Sequence, residues 1–273
     1  MKQIRFGTCR FNYPSWKSLV YSGNSAESFL TQYARRFDTV EIDRWFWSLF
    51  HPRSVVLPYP RVVREYLEST PDDFTFSIKV PNSITLTHFY SRDAGGILEP
   101  NHHFLSPELF NEFLELLQPM RNKIETLVFQ FEYLNRPKME SQQEFLRQLD
   151  SFFSRISMDV PAAVEVRNKQ YFNPPYFDLL REHDLSHVVH AGILDAADHG
   201  DLRALWGKNR TPDSTAADGG RPPLYREEIR CIVGMVRSIL GRNVFVSVYM
   251  NNHYQGSAPL TIEKLRAKLD QPW

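Results

Sequence analysis

Cysteine is almost absent from this sequence, since only Cys9 and Cys231 occur among its 273 residues. They do not form a C-x-x-C pair, which argues against a zinc ribbon and against a disulfide framework. Two thiols without a pairing pattern are typical of a reducing cytosol, so we expect a cytoplasmic protein. The first residues, MKQIRFGTCRF, lack the apolar core of a signal peptide, and no stretch of about 18 apolar residues follows. These absences predict a protein that does not cross a membrane.

Net charge is absent as well, because 32 Lys and Arg residues balance 32 Asp and Glu residues. No global field therefore attracts nucleic acid or a membrane, although a balanced chain still leaves room for a local basic cleft. Hydrophobic residues make up 42% of the chain, which is enough for a sizeable core and argues against disorder. The length matches a single α/β barrel of roughly 250 residues. We expect one domain over residues 1–273.

Short apolar runs alternate with longer amphipathic runs along the chain. This alternation predicts βαβ units and a parallel sheet. Helix starts are marked by two capping boxes, Asn24–Glu27 and Ser141–Glu144, and by the pair Ser106-Pro107. Seven strands are predicted, near Ile4–Cys9, Asp38–Asp43, Phe74–Val80, Thr126–Phe131, Ala162–Arg167, Ser186–Ala191 and Val244–Tyr249.

An eighth strand is needed to complete a barrel, and only Leu202–Trp206 is a candidate for it. The following segment, Asn209–Pro223, is rich in Pro, Gly, Asp, Ser and Thr and is typical of a loop. In chain order this candidate would be the seventh strand of eight. We therefore predict a TIM-type (β/α)8 barrel with an irregular or degenerate seventh strand. The alternative is an open doubly wound sheet. Against it, no Gly-rich phosphate turn follows the first strand.

Polar residues concentrate where the apolar strands end, as they do when the C-terminal rim of a barrel forms a site. A carboxylate inside a barrel is costly unless it is paired, so we expect Glu41 and Glu165 to meet Lys79 or Arg167. Either an ion network holds the barrel mouth, or a carboxylate acts as a base while a cation binds an anion. The strand-end residues are Glu41, Asp43, Lys79, Gln130, Glu165, Arg167, Tyr249, Asn251 and Asn252.

Several patterns at these ends allow two interpretations. Trp45, Phe46 and Trp47 either pack at the core and rim or form a stacking platform. Asn251-Asn252 is either a turn dipeptide or a pair of amides that bind a polar ligand. His187 and His190 fall on opposite faces of a strand, which argues against a metal cluster. No P-loop and no nucleophile elbow occur. The sequence therefore predicts no metal and no cofactor.

Six segments in chain order resemble the signature of the YecE-like family, long described as a domain of unknown function. The first, G-T-C-R-F-N-Y with W-K, contains Arg10 and Tyr13, and the second is V-E-I-D at Val40–Asp43. The third is Thr70-Pro71 followed by Phe74–Lys79. The fourth is F-Q at Phe129-Gln130, and the fifth is E-V-R at Glu165–Arg167. The ending, Y-M-N-N with G-S-A-P-L, begins at Tyr249.

The resemblance implies a TIM-type barrel and no settled activity. It implies a shared cleft lined by Glu41, Lys79, Glu165, Arg167 and Asn251. Two positions depart from the family pattern, because Asp43 replaces an Asn and Arg10 replaces a Gly and adds bulk and charge at the rim. The usual seventh strand, Y-x-R-x-H-G, has its nearest match at Leu202–Gly207, where Ala204 stands at the Arg position.

Three functional hypotheses follow. The first is a protein that binds or transforms a phosphorylated or sugar-like anionic small molecule, with Glu41 or Glu165 as the acid–base group. In it, Lys79 and Arg167 hold the anion and Asn251 orients the ligand. The second is a nucleic-acid-binding barrel, in which aromatic residues stack and Arg10 and other arginines meet phosphates. The third is a non-catalytic binding protein that uses the loop Asn209–Pro223 for a partner.

Overall fold

The computed structural model of the chain describes residues 3–22, 26–50, 54–89, 98–189, 224–252 and 257–270. These residues belong to two compact units. The first combines Met1–Val40 with Val189–Trp273, and the second is Glu41–Val188. Within the described ranges, no helix is long and apolar enough to span a bilayer.

The described strands are β1 Ile4–Thr8, β2 Thr39–Ile42, β3 Leu49–Phe50, β4 Ser54–Val55, β5 Thr75–Lys79, β6 Ile124–Gln130, β7 Ala162–Glu165, β8 Leu185–His187 and β9 Val246–Met250. Each of the seven predicted strands forms. Five of them build a central parallel sheet in the order β2-β5-β6-β7-β8, and β1 pairs in parallel with β9. The short antiparallel pair β3–β4 was not predicted, because its two-residue strands are too short to give a periodic signal.

Helices follow most of the strands, and a serine side chain caps the start of three of those that the structure describes. The Ser106 and Ser141 side chains accept hydrogen bonds from the backbone amides of Leu109 and Glu144, as predicted. The first helix does not start at Asn24, since Ser28 is its N-cap. The helices are α1 Phe29–Ala34, α2 Pro60–Glu68, α3 Asn82–Thr85, α4 Pro107–Leu117, α5 Gln142–Phe153, α6 Pro174–Glu182, α7 Leu224–Leu240 and α8 Ala258–Leu269.

Aromatic side chains pack between the central sheet and its helices. Phe129 of β6 is fully buried, and its ring centroid lies 5.3 Å from that of Phe110 in α4 and 5.8 Å from that of Phe152 in α5. Burying such a ring contributes about 2–3 kcal/mol. Successive side chains of a strand point to opposite faces. Val128 and Gln130 of β6 therefore point away from α4 and α5.

The unit containing β1 and β9 has its own close packing. A Cβ atom on Gly7 of β1 would lie 2.4 Å from the carbonyl oxygen of Thr39, so only glycine allows this approach. The buried hydroxyl of Tyr33 accepts a hydrogen bond from the backbone N–H of Thr8 and donates one to the Thr39 carbonyl. One side chain thus connects the C-terminal end of β1 to the first residue of β2.

The α/β class and the parallel sheet are therefore confirmed, and the complete barrel remains a prediction. Along the five-stranded sheet, strand order follows chain order without a reversal. A doubly wound sheet reverses its strand order at a switch point, so this part of the chain does not favour the alternative. The predicted seventh strand, Leu202–Trp206, and the loop Asn209–Pro223 lie outside the described residues.

Candidate functional site

Five of the predicted site residues come together at the carboxyl ends of neighbouring strands, and we call them the strand-end site. Gln130 ends β6 in direct register with Glu165 of β7, and Lys79 ends β5 opposite Val128. Since Val128 and Gln130 share one face of β6, Lys79 and Glu165 lie on that same face, opposite the helices. The strand-end site comprises Glu41, Lys79, Gln130, Glu165 and Arg167.

Glu41 is buried at the end of β2 and forms an ion pair with Lys79. The distance from Lys79 Nζ to Glu41 Oε1 is 3.2 Å, and the two side chains are 18% and 9% exposed, respectively. Burial raises the pKa of the Glu41 carboxyl, Lys79 lowers it in part, and the nearby charges of Glu165 and Asp43 raise it again. The net effect is a raised pKa, so the protonated form of Glu41 is favoured more in the protein than it is in water.

Glu165 forms the second predicted ion pair, with Arg167. Its side chain is only 5% exposed, and Glu165 Oε1 lies 3.1 Å from Arg167 Nη2. The Arg167 side chain is 38% exposed, so the same guanidinium also reaches solvent. The pair therefore joins a buried negative charge to a cation that an external anion can approach.

The strand-end site is not saturated with hydrogen bonds. Among the described residues, its buried atoms Glu41 Oε1, Gln130 Oε1, Glu165 Oε1 and Arg167 Nε have no hydrogen-bond partner. The two ion pairs are close, but their geometry leaves these atoms unmatched. Buried polar groups in native proteins are usually paired, and those that are not call for water, an ion or a ligand. These four atoms therefore leave unused hydrogen-bonding capacity at the strand-end site.

Asn168, which the sequence analysis did not select, holds the loop that carries Arg167. Its fully buried amide accepts a hydrogen bond from the Leu134 backbone N–H at 2.8 Å and donates one to the Leu134 carbonyl at 2.8 Å. These bonds tie the loop after β7 to the loop after β6. The only signal in the sequence is that Asn168 directly follows the E-V-R motif.

A second charged group lies after β6. Glu132 pairs with Lys138, and both side chains are about one-fifth exposed, at 18% and 22%. His88 interacts electrostatically with both residues, and its Nδ1 lies 2.9 Å from Thr87 Oγ1. Burial lowers the pKa of His88, while Glu132 opposes this shift. No sequence pattern marks His88, because it lies in a loop outside any strand.

Of the remaining predicted residues, Asp43 is half-buried directly after β2, and the others belong to the unit that contains β1 and β9. The side-chain amide oxygen Oδ1 of Asn252 accepts hydrogen bonds from Trp16 Nε1 at 3.0 Å and from the Ala258 backbone N–H at 3.1 Å. The Tyr249 hydroxyl lies 2.9 Å from Thr39 Oγ1. Asn252 thus has structural partners, and its contribution to ligand binding stays a prediction.

Arg10 and Tyr13 follow β1 in the same unit, and Asn251 follows β9. Arg10 is exposed and Tyr13 is half-buried, with its ring centroid 4.8 Å from that of Trp16. Asn251 is half-buried directly after β9. Their contribution to ligand binding stays a prediction.

The aromatic cluster after β2 divides into packed and exposed rings. Trp45 and Phe46 are 6% and 7% exposed, and Trp45 stacks on Tyr66 at 5.3 Å between ring centroids. Trp47, by contrast, is 51% exposed. Core packing therefore accounts for Trp45 and Phe46, and of this cluster only Trp47 presents a ring to solvent.

In the described part of the chain, no three His, Cys, Asp or Glu side chains converge as metal ligands would.

Comparisons with known proteins agree with this architecture. Two crystal structures of DUF72 family proteins share the fold. The one from Thermotoga maritima is 19% identical, with a TM-score of 0.61, and the match covers 98% of this chain and 99% of that one. The one from Enterococcus faecalis is 18% identical, with a TM-score of 0.60 and 98% of each chain covered. No curated protein sequence matches this chain significantly.

The family model described as "Protein of unknown function DUF72" matches residues 5–273. DUF72 is the YecE-like family that the six motifs resemble. The match extends over almost the whole chain and includes every residue of the strand-end site. This chain therefore belongs to the DUF72 family.

Proposed function

We propose that the strand-end site binds a phosphorylated or sugar-like anionic small molecule and that Glu41 and Glu165 provide acid–base chemistry on it. The observation that supports this proposal is the pairing of two buried carboxylates with Lys79 and Arg167 on one face of one sheet. Opposite charges held in a partly desolvated site are typical of ligand-binding and catalytic centres.

The two kinds of charge have different tasks in this proposal. Arg167 presents a planar guanidinium that matches phosphate or carboxylate geometry, and 38% of its side chain is exposed. Glu41 has a raised pKa because of its burial, which brings its proton exchange closer to neutral pH. Glu165 is held by Arg167 at 3.1 Å and provides the second carboxylate. Binding requires the cations, and turnover requires Glu41.

Calorimetric titration with inorganic phosphate and with pentose and hexose phosphates tests the proposal. Arg167→Ala should weaken phosphate binding about tenfold or more, since a charge-assisted hydrogen bond contributes about 1.5–3 kcal/mol. Arg181→Ala is the matched control, because Arg181 forms an exposed pair with Asp178 on α6. Glu41→Gln should retain binding and abolish any turnover detected by NMR. Equal affinities of wild type and Arg167→Ala would contradict the proposal.

We further propose that the strands close into a TIM-type (β/α)8 barrel. Two observations support closure. Strand order follows chain order from β2 to β8, and the first strand pairs in parallel with the last. A crystal structure tests this directly. One closed sheet is expected, and two separate sheets with free edges would contradict the proposal.

Single-stranded nucleic acid is a second candidate ligand, which the exposed ring of Trp47 favours. Arg44, three residues earlier, is also exposed, so a stacking ring and a cation lie close together in sequence. Fluorescence titration with an oligonucleotide should then show steeply salt-dependent binding that Trp47→Ala weakens. Binding that is absent at low salt would eliminate this candidate.

A further inference from the structure

The unmatched atoms of the strand-end site define what kind of group its ligand places there. Three of them, Glu41 Oε1, Gln130 Oε1 and Glu165 Oε1, are hydrogen-bond acceptors, and one, Arg167 Nε, is a donor. When ionised, a carboxylate offers no proton, so Glu41 and Glu165 can each accept a further hydrogen bond from a donor of the ligand. Both carboxylates are more than nine-tenths buried, with side chains 9% and 5% exposed, which makes an unmatched oxygen costly.

A phosphate group alone does not meet this demand. At neutral pH its oxygens are almost entirely acceptors, and at the inner part of the site they would face three further acceptors. A ligand cation is also unsuitable, because Lys79 Nζ already lies 3.2 Å from Glu41 Oε1. Like charges at such separations repel each other. The inner group must therefore donate hydrogen bonds without adding charge.

Hydroxyl groups satisfy these conditions. Each hydroxyl donates one hydrogen bond and accepts others, so it can donate to a carboxylate oxygen and accept from Lys79 or from Arg167 Nε. Several hydroxyls on adjacent carbons match acceptors that are contributed by different strands. Glu165 and Gln130 end neighbouring strands in direct register, which brings two of the acceptors side by side.

We infer that the ligand is a sugar phosphate whose hydroxyls donate to Glu41, Gln130 and Glu165 while its phosphate binds the exposed side of Arg167. This inference rests on the proposed function and narrows its substrate class. Among the described residues, Gln130 is the member of the set that forms no ion pair. Its carbonyl oxygen can therefore be removed without breaking either the Glu41–Lys79 or the Glu165–Arg167 pair.

Isothermal titration calorimetry of the full chain tests the inference with matched probes. Inorganic phosphate and ethyl phosphate present the anion without neighbouring hydroxyls, whereas ribose 5-phosphate and glucose 6-phosphate add them. At least one sugar phosphate should bind about tenfold or more tightly than ethyl phosphate, since two additional hydrogen bonds contribute about that much. Gln130→Met should weaken the binding of that sugar phosphate more than the binding of ethyl phosphate and so reduce this ratio. Gln118→Met, at an exposed position, is the control that should change neither value.

The possible failures are distinguishable. If ethyl phosphate binds as tightly as every sugar phosphate, the inference is overturned while the proposed anion site stands. If none of the phosphates binds, the proposed function fails as well. If Gln130→Met and Gln118→Met both leave the preference for the sugar phosphate intact, the hydroxyls do not reach Gln130 and the inference is again overturned.

Discussion

Replacing Lys79 by methionine provides a direct test of the electrostatics of the strand-end site. The substitution keeps the length of the side chain and removes its charge, so Glu41 loses the cation that lies 3.2 Å from its Oε1. A buried carboxylate without its partner costs about 3–5 kcal/mol. Because the Lys79 side chain is 18% exposed, water compensates in part, and we expect a loss of about 3 kcal/mol in the free energy of unfolding near pH 8.

The loss of stability in Lys79→Met should depend on pH, and the direction of this dependence follows from the pKa of Glu41. Burial already raises this pKa above its ordinary value of 4.5, and removal of Lys79 raises it further. A carboxyl pKa that is raised in the folded state adds to the free energy of unfolding at low pH. This contribution is complete below pH 4.5 and disappears as the pH rises through the pKa of the folded state. Lys79→Met should therefore be destabilised much less near pH 5 than near pH 8, since the protonated carboxyl needs no cation.

Urea unfolding followed by circular dichroism at about pH 5 and about pH 8 measures both effects. The double variant Lys79→Met, Glu41→Gln is the control, because a neutral amide at position 41 removes the uncompensated charge. It should recover most of the stability that Lys79→Met loses near pH 8. A loss of equal size at the two pH values, or no recovery in the double variant, would refute the proposed electrostatic origin.

Two further predictions concern unit Glu41–Val188. Asn168→Ala should lower the free energy of unfolding by about 3 kcal/mol, because it leaves the buried N–H and carbonyl of Leu134 without partners, and urea unfolding checks this. Burial lowers the pKa of His187 from 6.5 to about 4. The neutral imidazole therefore contributes about 3 kcal/mol to the free energy of unfolding above pH 6.5, and this contribution is lost as the pH falls through 4. His187→Asn should flatten the loss of stability below pH 6.5, and an unchanged slope would contradict this account.

Local pattern was sufficient for the strands of the central sheet and for the helix starts at Ser106 and Ser141. Each strand of the central sheet is a short apolar run, and its boundaries are displaced by a few residues at most, as for β6 at Ile124–Gln130 against a predicted start at Thr126. Ser106 and Ser141 mark helix starts because capping is a contact within one turn. The expected ion pairs of Glu41 and Glu165 followed from the cost of burying a carboxylate.

The sequence by itself thus determined the seven longer strands, two of the three marked helix starts and the presence of paired charges. These features depend on neighbours in the chain or on the general cost of burying a charge. Only the tertiary structure decided that Glu41 pairs with Lys79 and Glu165 with Arg167. It also decided that Gln130 lies beside Glu165, since register between strands depends on residues distant in sequence. The unmatched oxygens of the strand-end site follow from hydrogen-bond geometry, to which no periodic pattern in a sequence is sensitive.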